Sequence, residues 1–144
     1  MQSPVLVSAC LLGLKTRYDG ADAYSQKAVD LLKKRAVVPV CPEQLGGLPT
    51  PRPRAEISSG DGVSVLEGIS GVIDEFGSDA TAFFLKGAHE VLKIARIVGA
   101  KEAYLKEKSP SCGTGTICRD SVCVPGPGVT AALLKKEGLA LKGF

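Results

Sequence analysis

The sequence predicts an α/β fold: one doubly wound domain over residues 1–144, with a mostly parallel sheet flanked by helices. Hydrophobic periodicity switches repeatedly between short continuous apolar runs and three- to four-residue helical spacing, the pattern of alternating strands and helices. Three of the five cysteines, Cys10, Cys41 and Cys112, each follow one of those apolar runs. In an open parallel sheet the carboxyl ends of the strands line one edge, and ligands bind in the crevice beyond it. A length of 144 residues fits one domain that buries its own core, and no repeat or linker composition divides it.

The elements follow in order. Val5–Ala9 is a first strand, and a loop from Cys10 to Ala23 leads to a helix near Ser25–Lys34 with Ala28, Val29, Leu31 and Leu32 as its apolar stripe. Ala36–Val40 is a second strand ending at Cys41. Pro42-Glu43-Gln44 then suits one short helical turn, since Pro favours a first helical position. Residues 46–62, rich in Gly and Pro and without period, read as an ordered loop over the sheet edge. Val63–Leu66 and Gly71–Ile73 are expected as short strands or connecting segments.

A long helix is expected from Ser78 or Asp79 to Val98, with a capping residue at its start and Gly99 as its stop. Phe84, Ala88, Val91, Leu92, Ala95 and Val98 form its buried stripe. Ala103–Lys106 is the third strand, and the polar loop Lys106–Thr116 carries Cys112. Ile117–Val124 is expected as a hairpin turning at Asp120-Ser121. A helix over Gly128–Glu137, stopped by Gly138, and a last strand at Leu139–Leu141 complete the chain.

Composition excludes several function classes. The chain is 44% hydrophobic and 23% charged, so disorder is not expected. A net charge of +3 gives no footprint for nucleic acid, and with no Trp, 3 Tyr and 4 Phe there is no stacking platform for single strands. The chain enters Val5 directly after Met1-Gln2-Ser3-Pro4, without a basic segment or cleavage site, so no secretory signal is expected. No apolar run approaches bilayer-spanning length. The expectation is a cytoplasmic protein whose thiols stay reduced, in which disulfides are improbable and metal-binding or catalytic cysteines gain weight.

Each triad cysteine alone has an ordinary reading as a small buried hydrophobe. Their shared setting, in polar or Gly/Pro-rich loops at one predicted edge, points to a metal or iron–sulfur centre with an open position. No compact C-x-x-C knuckle of the zinc-finger type is present. Cys118 and Cys123 form a C-x4-C pair across the hairpin and are assigned a structural or incidental role. Glu43, two residues after Cys41, reads either as a general base beside the centre or as an exposed first-turn carboxylate. The loop Glu107–Gly115 is dense in hydroxyls and small residues that can offer donors to a ligand. Arg17 and Arg52 flank the same edge. They could clamp a substrate, but bracing pairs, Arg17 with Asp19 and Arg52 with Glu56, are the default. His89, the only histidine, is expected at the surface of the long helix.

Ser8-Ala9-Cys10-Leu11-Leu12-Gly13, Arg17-Tyr18-Asp19-Gly20 and Cys41-Pro42-Glu43-Gln44-Leu45-Gly46-Gly47-Leu48 together resemble one family, as do Pro51-Arg52, Lys86-Gly87-Ala88 and Leu105–Gly113. The chain is similar along nearly its whole length to the thiouracil desulfurases. The resemblance implies a Rossmann-like fold with a [4Fe–4S] cluster on Cys10, Cys41 and Cys112, whose fourth iron lacks a protein ligand and takes the sulfur of a thiolated pyrimidine base. It also implies that Glu43 and Ser109 take part; the mechanism expected is a non-redox cleavage of the carbon–sulfur bond in which Glu43 activates water and Ser109 positions substrate or relays a proton. The sequence departs from the family at Thr16, where many members carry a cysteine, and around Cys118–Val124. Two other readings stand beside this one: a persulfide carrier using one cysteine, and a zinc-stabilised binding module.

Overall fold

A computed structural model describes residues 2–144. Strand β1 (Val5–Ser8) is buried along its whole length, which suits a continuous apolar run at the centre of a parallel sheet. A 3-10 turn (Ala9–Leu12) follows directly, so the expected loop after β1 begins as a tight turn containing Cys10. Helix α1 (Gln26–Leu31) is capped by Ser25, whose hydroxyl accepts from the Ala28 amide at 3.1 Å. It is shorter than its apolar stripe predicted, and Leu31 is exposed.

Strand β2 (Val37–Val40) ends at Cys41, and helix α2 (Pro42–Leu45) opens with Pro42 in its first turn, as expected. Strand β3 (Ala55–Ile57) lies inside the segment read as a loop and pairs antiparallel with β4 (Val72–Asp74). Between them, Val63–Leu66 is not a strand. It belongs to helix α3 (Gly62–Leu66), started by a capping box in which Asp61 accepts from the amides of Val63 and Ser64 and Ser64 Oγ accepts from the Asp61 amide. An Asp-x-x-Ser cap outweighs the strand preference of the two valines.

Helix α4 (Thr81–Val98) starts later than predicted. Ala80 occupies the capping position without a side-chain bond, and Asp79 accepts the Thr81 amide at 2.9 Å from one residue upstream. Gly99 stops the helix in the left-handed region at φ 68°, where glycine carries no Cβ penalty. Strand β5 (Glu102–Leu105) precedes the cysteine loop. Strands β6 (Thr116–Arg119) and β7 (Val122–Pro125) form the expected hairpin, with Asp120 and Ser121 both at positive φ in its two-residue turn. Helix α5 (Val129–Lys136) and strand β8 (Ala140–Gly143) close the chain.

The main sheet has the order β2-β1-β5-β8, and each adjacent pair is parallel. Successive side chains of β1 face opposite sides: Val5 and Val7 pack with Leu11 and Leu32, while Leu6 joins Phe84, Val91, Ala103 and Leu134 in the larger core. The chain leaves β1 toward β2 on one side and returns at β5 on the other. The crevice beyond β1 and β5 is therefore the switch point where such sheets bind ligands.

Helix α4 packs on α2 and α5. The α2–α4 approach depends on two glycines, because a Cβ on Gly87 would run into the Pro42 carbonyl and one on Gly46 into the Phe83 carbonyl. The Lys86-Gly87-Ala88 segment thus fixes the helix that begins beside Cys41. Among the described residues, no helix is long and apolar enough to cross a membrane.

Candidate active site

The three cysteines that follow strands come together. Cys10, Cys41 and Cys112 are free thiols and line one cavity of about 400 Å³ at the carboxyl edge of the sheet. Cys10 lies in the 3-10 turn after β1, Cys41 caps α2 after β2, and Cys112 lies in the loop after β5. Glu43, Ser109 and Ser111 line the same cavity, as do Arg17, Arg52 and Lys106.

The Cys112 loop is built from within and from below. Ser109 Oγ accepts from the amides of Ser111 (3.2 Å) and Cys112 (3.1 Å), folding the Ser-Pro-Ser-Cys segment into a tight turn. The first amides of α5 bond to that turn, Val129 to the Pro110 carbonyl and Thr130 to the Ser111 carbonyl, so the helix start holds the loop instead of facing the cavity. Glu107 braces the far side. Its Oε1 accepts from the amides of Thr114 (2.9 Å), Gly115 (3.1 Å) and Thr116 (3.3 Å), and its Oε2 accepts from the Thr114 hydroxyl. Burial pushes the Glu107 carboxyl upward, but these donors outweigh it and hold the group below its ordinary range.

Glu43 is held from two sides. Arg52 Nε bonds to Oε1 at 2.9 Å, and Ser111 Oγ donates to Oε2 at 2.9 Å. Arg52 is itself anchored: Nη1 donates to Thr50 Oγ1 (2.9 Å) and Nη2 to the Thr16 carbonyl (2.8 Å), with Nη2 also 3.9 Å from Cys41 Sγ. The expected Arg52–Glu56 brace is therefore replaced, and Glu56 instead accepts the Asp120 amide. The first turn of α2 brings Glu43 to the guanidinium, and β3–β4 pairing carries Glu56 away from it. Arg17 pairs with Asp19 at 3.5 Å, as the bracing reading expected.

Ser111, one of the hydroxyl residues of the Glu107–Gly115 loop, gains a role only in the fold. A carboxylate only accepts, so Ser111 donates to Glu43 and Ser109 in turn donates to Ser111 across 3.0 Å. The three side chains form one donor chain, Ser109 to Ser111 to Glu43. Lys106 was also unassigned. Its Nζ donates to the Glu107 carbonyl at 3.0 Å, and burial first of all lowers its affinity for a proton. His89 is exposed on α4, away from the site, as expected.

The donor set fits an iron–sulfur cluster. Burial, followed by the neighbouring Cys41 charge, raises the Cys10 thiol, while burial pushes Cys112 up to about 12. Thiolates placed so need a strong positive charge between them, which an iron core supplies. Among the described residues no three His, Cys, Asp or Glu side chains are close enough to hold a single metal ion. A four-iron cube binds each thiolate at a different iron, so three thiolates supplied singly by three loops suit such a cluster with one iron left open.

Cys118 and Cys123 correct one expectation. They form a disulfide instead of remaining thiols, with Cα atoms 4.0 Å apart. The two-residue turn fixes the register so that Cys118 and Cys123 stand directly opposite each other. Cys118 also lines the cavity, so the hairpin reaches the site.

Together, the parallel sheet, the three-loop cysteine triad and the carboxylate beside it define a cluster-type α/β enzyme site. The family model described as 2-thiouracil desulfurase matches residues 5–143, and the chain belongs to that family. It is 43% identical over 137 residues to the Bacillus subtilis (strain 168) protein described as "Uncharacterized protein YbbK", covering 93% of this chain and 91% of that one. It is also similar to the solved structure of the [4Fe-4S]-dependent thiouracil desulfidase TudS, with a TM-score of 0.84 and 39% identity over 99% of this chain and 91% of that chain. The Rossmann-like expectation agrees with that likeness.

Proposed function

We propose that this protein is a [4Fe–4S]-dependent desulfurase that hydrolyses thiolated pyrimidine bases, converting thiouracil and water to uracil and hydrogen sulfide. The observation that carries the reading is the meeting of three free thiols from three separate loops in one cavity, beside a carboxylate fixed on both oxygens. Cys10, Cys41 and Cys112 would hold the cluster. When bound, it supplies a Lewis-acidic iron that polarises the thiocarbonyl carbon.

The chain's own residues do the remaining work. Arg52 and Ser111 aim the Glu43 carboxylate into the cavity, where it takes a proton from water as oxygen bonds to the ring carbon. The carbon–sulfur bond then breaks and the sulfur leaves as sulfide. The Ser109–Ser111–Glu43 chain points its protons at the carboxylate and so holds Glu43 in its accepting form, and Glu43 itself returns the proton to the departing sulfide. Both lone-pair sides of Ser109 face amide donors, so its own proton is directed at Ser111.

A cavity of about 400 Å³ lies within the size range of small-molecule sites. The substrate we favour is therefore a small thiolated nucleobase and not a nucleic acid. We take residues 1–144 as one desulfurase domain acting in the cytoplasm, where the free triad thiols stay reduced. The test is anaerobic incubation of the cluster-loaded protein with 2-thiouracil in isotopically labelled water. Equimolar uracil and sulfide, with solvent oxygen in the uracil, is the expected result. No sulfide release, or uracil without solvent oxygen, would overturn the reading.

A further inference from the structure

The disulfide of the β6–β7 hairpin stands at the same cavity as the cluster triad, although nothing in the hydrolysis uses it. Cys118 is half-buried and lines the cavity, whereas its partner Cys123 is exposed and does not. The hairpin is held in that position. Its β6 strand bridges to Lys108 in the Cys112 loop, where the Lys108 amide bonds the Thr116 carbonyl at 3.0 Å. From the other side, Arg119 Nη1 donates to the carbonyls of Ile57 (3.1 Å) and Gly60 (3.0 Å). Cys118, not Cys123, is therefore the half-cystine that a nucleophile in the cavity reaches, and Cys123, on the exposed strand, is the one it would expel.

Hydrosulfide is such a nucleophile. It behaves as a small thiolate and exchanges with disulfides by attack along the S–S axis. We propose that the Cys118–Cys123 disulfide is a capture site for the sulfide released in the cavity, a role that rests on the desulfurase reading. Hydrosulfide attacks Cys118 Sγ and forms a new S–S bond, and the Cys118–Cys123 bond breaks with its electron pair going to Cys123. Cys118 then carries a persulfide, and Cys123 leaves as a thiolate that takes a proton from solvent. The sulfide sulfur is oxidised and the disulfide reduced, so the step needs no outside oxidant. In reverse, Cys123 attacks Cys118, re-forms the disulfide and returns hydrosulfide. The hairpin thereby holds one product sulfur beside the mouth of the site.

The test supplies inorganic sulfide alone to the cluster-loaded protein, without thiouracil, then alkylates and maps the hairpin peptide by mass spectrometry without reductant. The expected product has one extra sulfur on Cys118 and an alkylated Cys123. Cys123→Ser, which removes the disulfide from an exposed position, should load no sulfur and leave thiouracil turnover unchanged, because Cys123 does not line the cavity. An intact disulfide after sulfide exposure, or the extra sulfur on Cys123, would overturn the proposal. Protein that loads Cys118 from added sulfide but releases none from thiouracil would instead overturn the desulfurase reading alone.

Discussion

Arg52 and Glu43 form an ion pair at 2.9 Å in which the arginine side chain is 3% exposed and the carboxylate 15%. They come from opposite ends of the Cys41–Arg52 segment, and the same guanidinium reaches the Thr16 carbonyl and Cys41 Sγ. One side chain thus ties the proposed base to the loop beside Cys10 and to a proposed cluster ligand. Removing one partner of a buried pair leaves the other charge uncompensated, a cost of about 3–5 kcal/mol. Arg52→Ala is predicted to lower stability by that order in denaturant unfolding. Glu43→Gln should retain the cluster spectrum and lose about 10²- to 10⁴-fold in kcat, the usual worth of a positioned base.

The hydroxyl chain predicts two different phenotypes. Ser111→Ala breaks the link between Ser109 and Glu43 while leaving the turn's amide bonds to Ser109 in place. Its kcat should fall at least about tenfold with a changed pH profile. Ser109→Ala also strands the amides of Ser111 and Cys112, adding about 1–3 kcal/mol of lost stability. Paired kinetics and thermal melts distinguish the two.

Glu107 makes the Cys112 loop sensitive to acid. Its folded-state affinity for protons lies below the ordinary value of 4.5, so its stabilising bonds are fully present above that pH. They are lost as pH falls below 4.5 and through the lowered folded value. Glu107→Gln should therefore flatten the acid limb of a stability-versus-pH curve, and Thr114 and Gly115 amides should exchange faster in the variant.

The cluster-free protein should respond to alkali in the opposite sense. An unfolded cysteine ionises near 9.0, while burial holds Cys112 protonated up to about 12. Between those values the unfolded chain has released a proton that the folded one keeps, so stability falls as pH rises. Alkylation at mildly alkaline pH should modify the half-buried Cys41 before the buried Cys10 and Cys112. Cluster loading must expel these thiol protons, so it should strengthen with rising pH.

Much of this was legible because strand ends are marked by apolar runs. Val5–Ser8, Val37–Val40 and Glu102–Leu105 lead to Cys10, Cys41 and Cys112, and parallel pairing brings those loops to one edge. The loops themselves were harder. Arg52 could reach either Glu43 or Glu56, and only the pairing of β3 with β4 decides between them. Ser111 is an ordinary turn residue until the long-range approach of Glu43 gives its hydroxyl an acceptor. Val63–Leu66 has strand composition, but the Asp61–Ser64 capping box made it a helix. Cys118 and Cys123 carry no sign of their role in their spacing alone, because cross-strand register, set by the two-residue turn, decides what they touch.

The most direct test of the central claim is iron and acid-labile sulfide per chain after anaerobic reconstitution, with zinc measured on the same samples. The wild-type protein is predicted to hold about four of each, as a [4Fe–4S] centre requires, with Cys10→Ala, Cys41→Ala and Cys112→Ala each losing the intact cluster. Full cluster content in Cys112→Ala, or a wild-type protein that takes up one tight zinc and negligible iron, would contradict it.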